Sequence, residues 1–386
     1  MVHKNILRSI AVGLALSMGL IAVTSAQTLK IGVIAPLTGG GAPWGMAAAE
    51  GTKIAAAEIN AKGGLEVGGK KYRIEVVPYD DQYKAADALA GYTRLVKQDG
   101  VKYMVTLTAL AGMALKQNLE DDKVVALTAA FSTKMFDPNT KYLFRIYSIP
   151  ADYLPSLVSW MKANRKERRI YLVNPNDETG WDHDQVSDKA FKSDGFEVLG
   201  RELYERTQKD FQPMFTKIIA TKPDIIDLGS APPATAGLMA RQVRELGYKG
   251  VIVKTGAAAP KEVIAAAGKE AAEGMIGVLG VDPVNAGYQR IAAEYKKSVG
   301  QEPNEMILPI YDSIQVLVRA IQKAGDVNNT AKVAAAFAQA LPMKSVQGEE
   351  LALGGKKTIG VNQQIMTVAY VGVIKNGESV TVGKIK

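Results

Sequence analysis

The chain has 386 residues, with 47 Lys and Arg against 39 Asp and Glu, and it contains no cysteine. This length predicts two lobes, each able to bury its own core, and the mixed charges with a formal net charge of +8 favour solubility and suggest no nucleic acid partner. The lack of cysteine excludes a disulfide, a thiol nucleophile and a lipid attached to an N-terminal cysteine.

Residues 1–26 have the pattern of a secretory signal peptide. Lys4 and Arg8 precede an apolar core over residues 10–23, and small residues up to Ala26 offer a cleavage site. No later stretch reaches the roughly 18–20 apolar residues that a membrane span requires, so we expect no stable membrane insertion. The mature protein is therefore expected to begin near Gln27 and to be free in a Gram-negative periplasm.

Residues 29–64 predict a buried strand, a glycine loop over residues 38–45 and an alanine-rich helix that ends near Ala61. Amides at the start of such a helix favour an anion. The glycines of the loop, Gly39 to Gly41, are consecutive and no Gly-Lys-Ser/Thr follows, so the dinucleotide and phosphate-loop patterns are not matched.

Strand-like and helix-like segments then alternate. Strands are predicted over residues 72–79, 103–107, 124–128, 170–173, 196–199, 225–228 and 251–253, and helices over residues 85–98, 113–121, 211–220, 288–299 and 310–324. A glycine-rich, β-like tail follows, with a hairpin turn at Asn376 and Gly377. Short, continuous Val- and Ile-rich strands predict an α/β fold of two doubly wound parallel-sheet lobes, in which ligands bind at the carboxyl ends of the strands.

Residues suited to catalysis are scarce. His183 is the only histidine after the leader, and it lies near a predicted helix start, where a capping or surface role is the simplest interpretation. A single histidine without cysteine does not make a zinc site, and no Gly-x-Ser-x-Gly motif is present. We therefore expect neither an enzyme nor a cofactor nor a metal site.

Small and aromatic residues follow the strands at one predicted edge of the first sheet. They are Trp44 in the first loop, Ala109 and Leu110 after the strand over residues 103–107, and Ala130, Phe131 and Ser132 after the strand over residues 124–128. Free amides and hydroxyls beside apolar rings make a binding site for a carboxylate with an apolar wall.

Five segments, in order along the chain, carry a family resemblance. They are Leu29-Lys-Ile-Gly-Val-Ile-Ala-Pro-Leu-Thr-Gly39, Ala57-Glu-Ile-Asn-Ala-Lys-Gly-Gly64, Tyr79-Asp-Asp81, Gln98-Asp-Gly-Val-Lys-Tyr103 and Ala272-Glu-Gly274. Together they resemble the periplasmic leucine/isoleucine/valine-binding proteins of ABC transporters, over essentially the whole mature chain. The resemblance implies two lobes that close around a ligand without chemistry, and permease subunits as partners.

The resemblance also implies how the chain divides. The first lobe would comprise residues 27–147 and 282–362, and the second residues 150–279 and 366–386. Hinge crossings are expected near residues 148–149, 280–281 and 363–365. We expect a monomer.

Carried over position by position, the family's carboxylate site falls on Ala109, where the family has a serine, and on Ala130 and Ser132, with Trp44 as the aromatic residue of the first loop. Two tyrosines of its second lobe fall on Thr179, before Gly180, and on Ala231. The glutamate that pairs with the substrate ammonium falls on Gly256. The family's disulfide positions fall on Tyr83 and Thr108. The resemblance therefore implies that the carboxylate site is kept and the ammonium site is lost.

A free amino acid would then bind poorly unless Asp177, Asp152 or Asp227 replaced the glutamate, since an unpaired ammonium in a closed cleft costs several kcal/mol. With Trp44, Phe131 and Trp181 nearby, a carboxylate with an apolar or aromatic body is at least as good a candidate as leucine. The sequence thus predicts a solute-binding protein of an ABC importer. A sensor that reports its ligand to a receptor is the alternative, and a Rossmann-type enzyme is the less favoured one.

Overall fold

The computed structural model describes residues 27–385, so the predicted signal peptide lies outside the described residues. The strands are β1 (Gln27–Ala35), β2 (Leu65–Val67), β3 (Lys70–Asp80), β4 (Tyr103–Thr106), β5 (Val125–Thr128), β6 (Leu143–Arg145), β7 (Arg169–Pro175), β8 (Glu197–Tyr204), β9 (Ile225–Asp227), β10 (Val251–Ala257), β11 (Ile276–Leu279), β12 (Met343–Lys344), β13 (Glu350–Gly354), β14 (Gln364–Met366), β15 (Ala369–Lys375) and β16 (Glu378–Ile385). None of the helices within this range is long and apolar enough to cross a membrane.

The helices are α1 (Ala42–Ala61), α2 (Ala85–Tyr92), α3 (Ala109–Asp121), α4 (Pro150–Asn164), α5 (Glu178–Ser193), α6 (Gln212–Ala220), α7 (Pro233–Glu245), α8 (Pro260–Ala267), α9 (Lys269–Ala272), α10 (Ala286–Val299), α11 (Ile307–Ala324), α12 (Thr330–Ala340) and α13 (Lys356–Ile359). Helix α2 continues into a π-helical turn over Thr93–Gln98. The predicted helix over residues 85–98 is therefore present, with a change of hydrogen-bond pattern halfway.

Two sheets organise the chain, and each forms the centre of a lobe. The first has the strand order β12-β13-β14-β6-β5-β4-β1-β3-β2, and the second has the order β16-β15-β11-β10-β9-β7-β8. The central strands are parallel, with Ile31 opposite both Val76 and Tyr103. The strand order reverses at β1 in the first sheet and at β7 in the second, which is where parallel sheets leave a crevice for a ligand.

Helices cover both faces of each sheet, as the apolar strands predict. In the first lobe Ile31 and Val33 join the core under α1, α10, α11 and α12, while Ile34 packs on the other side with α2 and α3. In the second lobe Val173 faces α6, α7 and α8, and Leu172 faces α4 and α5. Continuous apolar runs such as β4 and β5 are wholly buried because they have no solvent-facing side.

Three parts of the chain pass between the sheets, after β6, after β11 and after β14. The Ser148 hydroxyl donates to the Thr367 carbonyl at 2.8 Å and accepts from the Thr367 amide at 3.0 Å, which ties the first and third crossings together. Strand β14 (Gln364–Met366) pairs within the first sheet and overlaps the hinge predicted at residues 363–365. The exact lobe boundaries stay a prediction.

Three helices differ from what the sequence predicted. Helix α3 begins at Ala109 rather than at residue 113 because the Thr108 side chain accepts from the Ala111 amide at 3.1 Å. Helix α1 begins at Ala42, so Trp44 lies in its first turn and not in a loop. The tail contains helix α12, which was not predicted and which Asn329 caps. The hairpin at Asn376 and Gly377 is confirmed, with both residues at positive φ.

Two glycines allow the helix after the first strand of each lobe to touch the end of that strand. A Cβ on Gly45 of α1 would lie 1.9 Å from the Pro36 carbonyl oxygen, and a Cβ on Gly180 of α5 would lie 1.7 Å from the Pro175 carbonyl oxygen. Both distances are far inside van der Waals contact, so only glycine fits at these positions. The same kind of strand-to-helix contact therefore occurs once in each lobe.

We expect Gly45→Ala and Gly180→Ala each to lower the free energy of unfolding by about 1–3 kcal/mol, because the added methyl must push the helix from its strand. Thermal and denaturant unfolding would measure it. Gly40→Ala is the matched control, since a Cβ there meets nothing within 4 Å. Unfolding midpoints equal to that of the control would contradict the close packing.

Candidate functional site

A cavity of about 480 Å³ lies between the two lobes, at the carboxyl ends of their strands. The first lobe contributes most of its wall, and the second lobe contributes the opposite side. The lining residues are Trp44, Tyr83, Leu107, Thr108, Ala109, Ala129, Ala130, Phe131, Tyr147 and Met306 from the first lobe, and Thr179, Ser230, Lys254 and Ala257 from the second. This is the crevice that the strand order predicts.

The start of helix α3 forms part of the first-lobe wall. Thr108 and Ala109 both line the cavity. The amides of Ala109 and Leu110 are in the first turn and have no acceptor within the helix. These donors, together with the positive end of the helix, suit a carboxylate.

The loop after β5 forms the neighbouring part of the wall and is held from beneath by Arg145. This fully buried side chain donates from Nε to the Ala130 carbonyl at 2.9 Å and from Nη2 to the Ser132 carbonyl. Its Nη1 donates to Gln364 on β14 at 3.4 Å. Burial lowers the pKa of Arg145 to about 10, so it remains a cation at neutral pH and keeps these carbonyls turned towards it.

Aromatic side chains close the first-lobe side of the cavity. Phe131 and Tyr147 pack edge to face with ring centres 5.6 Å apart, and the Tyr147 hydroxyl donates to the Ala129 carbonyl at 2.6 Å. Within residues 27–385 no acceptor is in reach of the buried Trp44 Nε1. The Trp44 indole N–H is therefore a buried donor without a partner among these residues.

In the second-lobe wall the charged side chain is a lysine. Lys254 on β10 is 2 % exposed, and its Nζ donates to the Ala257 carbonyl at 2.5 Å. Burial lowers the pKa of Lys254 to about 8, so it is mainly protonated at neutral pH. A carboxylate faces this wall more favourably than an ammonium does.

The three acids that could have replaced the family glutamate are all engaged elsewhere. Asp227 is buried and accepts from Thr255 Oγ1 at 2.6 Å and from two backbone amides, and burial raises its pKa to about 6. Asp177 caps α5 and pairs with Arg206. Asp152 accepts from the Ile149 amide and from Gln364 beneath the first crossing. None of them is on the cavity wall.

Two second-lobe residues that were predicted to be in the binding site do not line the cavity. Ala231 is fully buried in the core with α7 and α8. A Cβ on Gly256 would lie 2.8 Å from the Gly229 carbonyl oxygen, because the loop after β9 occupies that space. The backbone of Gly229 and Ser230 thus occupies the space that a side chain at position 256 would need.

Of the other predicted residues, Trp44, Ala109, Ala130, Phe131 and Thr179 line the cavity. The remaining ones do not. Leu110 is half-buried one position along α3, and Asp177 is turned to Arg206. Trp181 is 42 % exposed and donates its indole N–H to Asn176 at 2.9 Å. Whether the lining residues contact a ligand stays a prediction.

Ser132, predicted in the carboxylate site, instead takes part in a set of contacts across the mouth of the cleft. Its hydroxyl donates to Glu178 at 3.2 Å. Thr133 donates to Asp182 from its hydroxyl at 2.6 Å and from its amide at 3.1 Å. Lys134 lies 3.3 Å from the Glu178 carboxylate. Because Glu178 and Asp182 belong to α5 of the second lobe, these mouth contacts hold the cleft closed.

Sequence reasoning missed several wall residues. Tyr83 and Thr108 were noted as the family's disulfide positions, and both line the cavity. Tyr147 and Met306 come from segments far apart in the chain, where no motif marks them. The sequence did contain a signal for Lys254, because a lysine inside the apolar strand over residues 251–257 has to be buried. The described residues hold no group of three or more acids and histidines that could bind a metal.

A second chamber of about 400 Å³ adjoins the cavity and shares Phe131, Tyr147, Ala257 and Met306 with it. Glu305 lines this chamber and accepts from the Ala259 amide at 3.0 Å. Burial raises the pKa of Glu305 to about 7. The cavity and the chamber therefore share an aromatic wall.

Comparison with known proteins places this geometry in a family. The sequence profile of a periplasmic binding protein family matches residues 28–378. A leucine-, isoleucine-, valine-, threonine- and alanine-binding protein of Pseudomonas aeruginosa is 26 % identical over 309 residues, which is 78 % of this chain and 80 % of the relative.

Solved structures share the fold. A leucine-binding protein from Thermotoga maritima has a TM-score of 0.81 at 22 % identity, covering 93 % of this chain and 99 % of its own. An ABC transporter solute-binding protein from R. palustris, in complex with benzoate, has a TM-score of 0.78 at 21 % identity, covering 92 % and 96 %. With a profile match over nearly all described residues and Leu/Ile/Val-binding relatives of similar length, the chain belongs to the periplasmic binding protein family.

Proposed function

We propose that this protein is the solute-binding component of an ABC importer, and that it closes on a small aliphatic or aromatic carboxylic acid and delivers it to the permease. The observation that carries this is the charge of the cavity wall. The first lobe presents the amides at the start of α3, and the second lobe presents Lys254 instead of an acid.

This charge pattern argues against a free α-amino acid. Its carboxylate would suit the start of α3, but its ammonium would face the second lobe without a counter-charge. Asp227 and Asp177 are already committed to hydrogen bonds and an ion pair. An uncharged keto, hydroxy or aryl group in place of the ammonium avoids the penalty of an unpaired buried cation.

The shape of the cavity supports the same ligand class. Trp44, Phe131 and Tyr147 offer ring faces and edges to an apolar body, and Trp44 adds a free indole N–H. The family relatives include proteins named for amino acids, and a protein of the same fold holds benzoate. An aromatic carboxylate is therefore compatible with this architecture.

The first test is a thermal-shift screen at neutral pH of leucine, isoleucine, valine and phenylalanine against their 2-oxo acids, benzoate and cinnamate. A ligand at about a hundred times its dissociation constant adds roughly 2.7 kcal/mol to stability. We expect one or more of the acids without an amino group to raise the unfolding midpoint. Stabilisation by the amino acids alone would show that an ammonium is accepted and that this assignment is wrong.

The second test concerns closure. Asp182→Ala removes both hydrogen bonds that Thr133 donates across the cleft. Because charge-assisted bonds contribute roughly 1.5–3 kcal/mol each, we expect ligand affinity to fall at least tenfold. Calorimetry with the tightest-binding acid of the screen would measure this change. Stopped-flow kinetics should assign most of it to faster dissociation.

Asp188→Ala is the matched control for closure. It removes the same charge from the same helix but breaks only the contact with Lys192 inside the second lobe. Equal affinities of the two variants would argue that the mouth contacts do not hold the ligand-bound form together. Small-angle scattering should show the wild type becoming more compact with ligand.

A further inference from the structure

The buried cation Lys254 has no charge partner of its own. Its Nζ has three N–H donors, and the contact found for it is the carbonyl of Ala257. In the part of the chain that the structure describes, no carboxylate lies within ion-pair distance of this ammonium group. Burial disfavours the charged lysine, and the carboxylates of Glu305, Asp227 and Glu262 offset only part of this cost from a distance. An anion that enters the cavity would offset more of it.

The acids around Lys254 are near enough to influence it but are turned to other partners. Asp227 accepts from Thr255 and from the Gly229 amide, and Glu305 accepts from the Ala259 amide. Glu262 accepts from Asn304 at 2.8 Å. His183 is bonded to Thr255, and burial lowers its pKa to about 3, so it is neutral and adds no charge beside Lys254. Two of the Nζ donors thus remain for an acceptor in the cavity.

Lys254 also lies on the wall opposite the start of α3. The α3 amides belong to the first lobe, and Lys254 and Ala257 belong to β10 of the second lobe, so a ligand between them is contacted from both ends. One carboxylate satisfies the α3 site. A second anionic group on the same ligand would satisfy Lys254.

We propose that the ligand is a dicarboxylic acid with an apolar or aromatic body, whose second carboxylate pairs with Lys254. This inference rests on the proposed function, because it assumes that the first carboxylate occupies the α3 site. It makes Lys254 the residue that selects between a diacid and the corresponding monoacid. The ion pair would form at a side chain that is 2 % exposed, where solvent screens charges weakly.

The experiment compares pairs of acids that differ in the second carboxylate: adipate against hexanoate, and terephthalate against 4-methylbenzoate. Calorimetry at pH 7.5 measures their affinities for the wild type, for Lys254→Met and for the control Lys249→Met. Lys249 is exposed on the second lobe and lies away from the cleft. We expect the wild type and the control to bind at least one diacid tenfold or more tighter than its monoacid.

In Lys254→Met the preference should fall to threefold or less, because the methionine keeps the apolar stem but not the charge. Its unfolding midpoint without ligand should equal or exceed that of the wild type, since an unpaired buried cation has been removed. Lys254→Gln, which keeps an N–H donor, serves as the second variant should the methionine perturb the fold. It should lose most of the diacid preference as well.

Three results would overturn the proposal: a wild type that prefers the monoacids, a diacid preference that persists in Lys254→Met, or an equal loss of affinity for both members of a pair in that variant. The last result would mean that Lys254 binds the only carboxylate. If the wild type bound none of these acids and none of the acids in the thermal-shift screen, the proposed function itself would fail. Binding of monoacids alone would remove only the dicarboxylate assignment.

Discussion

The ligand space depends on the contact between a helix glycine and the carbonyl at the end of the preceding strand. Gly45 packs on Pro36 in the first lobe, and Gly180 packs on Pro175 in the second. Each contact brings the first turn of its helix onto the strand end, so the residue before the glycine reaches the cavity. Trp44 and Thr179 are these residues, one from each lobe. The two halves of the cavity are thus built on one repeated backbone contact.

The two lobes present different positive groups to the cavity. In the proposed function the first lobe would bind a carboxylate through backbone amides, whose position depends on the start of α3 and on the loop above Arg145. The second lobe contributes a side-chain charge, Lys254, on a strand whose neighbours are apolar. A substitution in the second-lobe wall can therefore change which ligand is bound without disturbing the carboxylate site.

The fold was predictable because buried parallel strands appear in a sequence as short apolar runs between helical segments. The two sheets and the comparisons confirm the two-lobe architecture of the family. Wall residues next to strand ends, such as Ala109 and Ala130, followed from the same logic. Ser132 did not, because Arg145 holds its carbonyl and Glu178 takes its hydroxyl from the other lobe. Such distant partners leave no pattern in the local sequence.

The buried Arg145 beneath the loop after β5 has a consequence for the energetics of binding. Arg145 bonds to Ala130, Ser132 and Gln364, and Gln364 bonds in turn to Asp152. This network consists of protein atoms alone and needs no ligand. The loop is therefore held in its shape by bonds from within the first lobe. A carboxylate bound as we propose would gain its hydrogen bonds there without the entropy cost of ordering a flexible segment.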